Sequence, residues 1–150
     1  GENDRFEPAI RYYNKLAELA PALRPLTLIN LSEIYKAKGD LSKSRQYAFD
    51  AWRLSPDSDN VKFCYASRLS ENKDYAGVVE VLKLPRYTAK VDGRFLKLWE
   101  PAMNEVIKSA FEEKRYEQVL ENCRYLRFYF PDSPTARTYI EKVTALQKKK

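Results

Sequence analysis

The chain has 150 residues, of which 44% are hydrophobic, 13% aromatic and only 4 glycine, and its 27 Lys plus Arg against 21 Asp plus Glu give a net charge of +6. That length suits one domain, and a glycine-poor composition rich in Ala, Leu, Lys and Glu favours helices over a turn-rich β fold. Histidine is absent, which removes the commonest general base and the usual zinc ligand, while the scattered glycines cannot build a phosphate-cradling loop and no apolar run reaches membrane-spanning or leader length.

The first predicted helix lies within residues 4–21, with Phe6, Ala9, Tyr13 and Leu16 on one side and Pro21 beyond its end. Its face of Tyr12, Tyr13, Leu16 and Leu19 has no obvious partner, and an uncovered apolar face suggests an interface with further sequence or with another copy of the chain. The lack of an initiator methionine and of a start-like segment suggests a piece of a longer protein.

Residues 25–58 carry the clearest pattern. Leu28, Leu31, Ile34 and Tyr35 recur at spacings of three and four, which sets them on one helical face. Gly39 suits the left-handed residue that closes a helix, and Asp40 can cap the next one. Leu41, Ser44, Tyr47, Ala48, Ala51 and Trp52 line the second helix, which ends before Ser55-Pro56 because the residue preceding proline is pushed out of helical geometry. Small side chains at Ser44, Ala48 and Ala51 allow two helices to approach closely.

Leu28, Leu31, Ser32, Tyr35, Gly39, Asp40, Leu41, Ser44, Ala48, Ala51 and Pro56 together resemble a tetratricopeptide repeat. Leu28 stands where that family often has Trp, Ser32 where it has Gly, and Ala48 where it has an aromatic residue. Residues 4–21 then correspond to the second helix of a truncated repeat. The fold the resemblance implies is all-α, an alpha-alpha superhelix of antiparallel helix pairs with about three and a half repeats.

Further along, Ser58-Asp59 can cap a helix with Val61, Tyr65, Ala66 and Leu69 inward, and Lys73-Asp74-Tyr75 repeats the turn. The following helix meets Pro85 early, so residues 59–84 form a shortened repeat. Pro131 lies 75 residues after Pro56, two repeats of about 34 residues plus a surplus that falls in residues 85–93. This insertion is either a spacer loop or a contact surface built on Arg86, Tyr87, Lys90 and, just beyond it, Arg94.

Residues 94–133 make an irregular repeat. Its first helix carries Phe95, Leu98, Trp99, Met103, Val106, Ile107 and Ala110, with Pro101 either kinking it or starting it afresh. Lys114-Arg115-Tyr116 is a third turn, and Val119, Leu120, Cys123 and Leu126 line the next helix. Ser133-Pro134 opens a helix with Ala136, Tyr139, Ile140, Val143 and Leu146 inward, so residues 134–150 read as a capping helix.

Both cysteines, Cys64 and Cys123, fall on apolar faces and read as buried free thiols. The carboxylates fall on exposed ends and turns rather than in dry pairs, so no catalytic residue, metal ligand or cofactor is expected. By resemblance the concave wall comes from the first helix of each repeat: Ile29, Glu33 and Lys36; Phe63, Ser67 and Ser70; Asn104, Lys108 and Phe111. These do not supply the family's clamp for a C-terminal carboxylate.

A partly apolar peptide or partner helix in that groove is the implied ligand, which makes the chain a non-catalytic interaction or scaffold module. One alternative is a basic surface that binds nucleic acid or another polyanion through the insertion and the lysine tail, Lys148 to Lys150. The stretch from Arg124 to Phe130 interleaves basic and aromatic residues, but Leu126 and Phe130 share the face of Cys123 and Val119, so core comes first there and nucleic acid second. A further alternative is an accessory assembly domain of a larger enzyme or membrane protein. The compartment is left open.

Overall fold

A computed structural model describes residues 5–87 and 90–149. Among them the secondary structure is helical, with no strand: α1 (Glu7–Leu19), α2 (Arg24–Ala37), α3 (Leu41–Leu54), α4 (Asp59–Glu71), α5 (Tyr75–Leu82), α6 (Gly93–Glu112), α7 (Tyr116–Tyr129) and α8 (Pro134–Lys148). The expected all-α architecture of packed neighbouring helices is therefore present. The chain forms two compact units, one reaching to Lys73 and one beginning at Asp74.

In the first unit α1 packs on α2, α2 on α3 and α3 on α4, and α2 also touches α4. Ile10, Leu31 and Tyr35 are its buried centre, with Phe6, Tyr13, Leu28, Ile34 and Tyr47 against them. The rings of Tyr35 and Tyr47 stack at 5.3 Å. Ser44, Ala48 and Ala51 are fully buried, so small side chains do bring α2 and α3 together. Two serines finish the contact: the Ser32 hydroxyl donates to the Ser44 carbonyl at 2.7 Å, and the Ser44 hydroxyl donates to the Ser32 carbonyl at 2.7 Å. Each hydroxyl is thereby satisfied inside the core, where an unpaired one would cost about 1–3 kcal/mol.

Capping follows the sequence. Asp40 accepts from the Lys43 amide at 3.1 Å, Ser58 from Val61 at 3.5 Å, Asp74 from Gly77 at 3.0 Å and Ser133 from Ala136 at 3.1 Å. The turns after α2, α4 and α6 share one backbone form, with left-handed residues at Gly39 (φ 86°), Lys73 (φ 60°) and Lys114 (φ 61°). Leu41, expected on the packed side, is 51% exposed, because it opens α3 where α2 has already ended. A 3₁₀ turn, Pro21–Leu23, links α1 to α2.

In the second unit α5 packs on α6, α6 on α7 and on α8, and α7 on α8. Trp99 is fully buried at its centre, with the rings of Tyr125 and Tyr129 at 4.9 and 5.4 Å. Val78, Leu82, Met103, Ile107, Val119, Leu126 and Val143 complete the core. The helix α6 runs through Pro101 without ending. Pro101 is exposed, so water can take up the carbonyl that its missing N–H leaves free.

Candidate functional site

Within the first unit, α2 and α4 are joined by two ion pairs, Arg68 to Glu33 at 3.4 Å and Lys36 to Glu71 at 2.8 Å. Both pairs link positions at the same offset along the two helices, which sets α2 and α4 parallel and side by side. Ile29, Glu33 and Lys36, at spacings of four and three, share one face of α2; Phe63, Ser67 and Ser70 share one face of α4. Glu33 and Lys36 are exposed, and Ile29, Phe63, Ser67 and Ser70 are half-buried, so all six remain accessible. The Ser67 hydroxyl donates to the Phe63 carbonyl at 2.7 Å and is occupied within its own helix.

Arg68, which the periodicity did not single out, organises this face. Its side chain is only 5% exposed. Nη2 meets Glu33, Nη1 reaches the Ser44 hydroxyl at 3.4 Å, and Nε lies 3.3 Å from Glu71 Oε2 as an ion pair without hydrogen-bond alignment. The i,i+3 spacing of Arg68 and Glu71 is the sequence signal for half of this arrangement. Two acids and two bases offset one another, and the apolar side chains of Ile29 and Phe63 stand on the same two helix faces. Beneath them Cys64 is buried with its Sγ 3.8 Å from the Ser32 hydroxyl, and burial raises its pKa.

In the second unit Asn104, Lys108 and Phe111 share a face of α6 by the same spacing. Lys108 is exposed, whereas Asn104 is half-buried and its Oδ1 has no donor. Phe111 lies in an aromatic cluster, 5.7 Å from Tyr116 and 5.3 Å from Tyr139, with Lys142 Nζ 5.6 Å above its ring.

The segment after α5 is tied to α7. The Tyr125 hydroxyl donates to the Leu84 carbonyl and the Tyr129 hydroxyl to the Pro85 carbonyl. Arg86 stacks 4.2 Å over the Tyr125 ring and pairs with Glu121 at 2.8 Å. Tyr87 is 70% exposed and Lys90 is exposed. Arg94 folds back on Asp92, the cap of α6, at 2.8 Å, and its hydrogen bonds hold the Asp92 carboxyl below its usual range. Residues 88–89 of the insertion, and Lys150 of the lysine tail, lie outside the described residues. Arg86, Glu121, Arg124, Tyr125 and Phe128 line a cleft of about 370 Å³.

Among the described residues no group of His, Cys, Asp or Glu could hold a metal ion, and no helix is long and apolar enough to cross a membrane. No model of a known protein family matches this chain, and no curated protein matches it either.

Proposed function

We propose that the chain is a tetratricopeptide-like array acting as a non-catalytic protein-interaction module, which takes a partly apolar peptide segment or a partner's helix against the face formed by α2 and α4. The observation that carries this reading is the self-neutralised charge set of that face. Glu33, Lys36, Arg68 and Glu71 are committed to one another across the helix pair, while Ile29 and Phe63 stay accessible beside them. An incoming carboxylate would have to displace Glu33 or Glu71 from Arg68, so acidic ligands gain little there. An apolar side chain gains roughly 25 cal/mol for each Å² of surface it buries.

Peptides selected from a random display library against the full chain provide the probe. Ile29→Asp and Phe63→Ala are expected to weaken the selected peptides by about tenfold or more, as central apolar contacts do. Their affinity is expected to change little between low and physiological salt, because the charges on this face are already paired. Binding that survives both substitutions would exclude this face as the site.

A further inference from the structure

The cleft beside the α5–α6 connection is a second surface, independent of the α2–α4 face. We infer that it docks an acidic peptide segment in which a carboxylate stands next to an aromatic residue. The connection there is held in place rather than loosely strung: two tyrosine hydroxyls fasten Leu84 and Pro85 to α7, and Arg86 is clamped between the Tyr125 ring and Glu121. That clamping fixes a guanidinium at the cleft lip with little rotamer entropy left to lose on binding, which is the advantage of a preorganised contact.

The charges around the cleft are unequal. Glu121 answers Arg86, but Arg124 also lines the cleft and makes no ion pair among the described residues. One uncommitted guanidinium calls for one carboxylate, and a planar guanidinium takes a carboxylate through two parallel hydrogen bonds. Next to it on α7, Phe128 is 46% exposed, held edge-to-face on Tyr129 at 4.9 Å. It offers an incoming ring a platform that does not need to move.

The same residues argue against a nucleic-acid strand. The Glu121 carboxylate on the cleft wall repels a continuous run of phosphates. The Tyr125 ring cannot stack on a base, because Arg86 covers it and Trp99 packs against it. What is left among the described residues lining the cleft is the Arg124 guanidinium and the Phe128 platform, which match an acidic and an aromatic side chain in succession and not a repeating backbone.

The test titrates the full chain into a short fluorescein-labelled peptide of Asp-Phe dipeptides spaced by serine, read by anisotropy. Counterparts with Asn for Asp and with Ser for Phe, and an oligothymidylate of similar length, run beside it. The Asp-Phe peptide is expected to bind saturably, and each counterpart roughly tenfold more weakly. Arg124→Glu and Phe128→Ala are each expected to weaken it by roughly tenfold, while Glu121→Gln is expected to tighten it by removing the like charge that the peptide carboxylate meets on the cleft wall, with Arg86 still held over the Tyr125 ring. All three positions are exposed, so circular dichroism and melting should match the parent chain. The inference is overturned if the Asn-for-Asp peptide binds equally well, if Arg124→Glu or Glu121→Gln leaves affinity unchanged, or if no saturable binding occurs. It is also overturned if the oligothymidylate binds more tightly with steep salt dependence, which would mark a nucleic-acid surface instead.

Discussion

Lys73 and Lys114 hold left-handed backbone angles of 60° and 61°, in the place that Gly39 takes after α2. A side chain in that conformation costs about 1–2 kcal/mol, and glycine gives back part of this through its greater freedom in the unfolded chain. Lys73→Gly and Lys114→Gly are therefore each expected to stabilise the protein by about 0.5–1 kcal/mol in urea unfolding, whereas Gly39→Ala should destabilise it by about 1–2 kcal/mol. No heavy atom lies within 4 Å of where a Gly39 Cβ would stand, so that cost belongs to the backbone alone. Arg68 presents the opposite case, a charge drawn into a helix interface. Its partners Glu33 and Glu71 keep their contact with water, which reduces the desolvation penalty that a fully buried ion pair would carry.

At the level of elements, the connection after α5 is the most informative. Tyr125→Phe keeps the ring that Arg86 covers and removes only the hydroxyl that holds Leu84. It is expected to cost about 1–2 kcal/mol of stability and to speed amide exchange in residues 83–87, because a buried carbonyl loses its donor. The helices themselves were legible in the sequence. Asp40, Ser58 and Ser133 stand at caps and accept the amide three residues on, and Ser44, Ala48 and Ala51 mark the close approach of α2 and α3. These signals are local, and a single helix or turn suffices to express them. The tethers from Tyr125 and Tyr129 were not legible, since their acceptors lie 41 and 44 residues away and no periodicity specifies them. The same holds for Arg68. Nothing in its own helix announces that the Ser44 hydroxyl and Glu33 arrive from α3 and α2. On the α2–α4 face, the helical spacing placed Ile29, Glu33 and Lys36 together, but the pairing that neutralises the charges required the second helix.

For the molecule as a whole, each unit has its own core and one buried thiol, Cys64 in the first and Cys123 in the second. Burial pushes the Cys123 thiol up from 9.0 to about 11, slightly opposed by Arg127. Below about pH 9 the thiol is protonated in both the folded and the unfolded chain, and its contribution to stability is fully present. Above that, the unfolded chain gives up a proton that the folded chain retains, so stability falls by up to about 1.4 kcal/mol per pH unit until the folded thiol also ionises. Urea midpoints are therefore expected to drop between about pH 9 and about pH 11 more in the parent than in Cys123→Ala, the lysines and tyrosines being common to both. An equal drop in the two proteins would show that Cys123 is accessible to solvent.

The α2–α4 face is the proposed resting place of a partner's apolar segment. Backbone amide shifts of the isotopically labelled full chain, followed while a display-selected peptide is added, test it most directly. The expected result is a set of perturbations centred on Ile29, Glu33, Phe63 and Ser67, which persists at raised salt and vanishes in Phe63→Ala. Perturbations confined to the second unit, or unchanged in that variant, would contradict it.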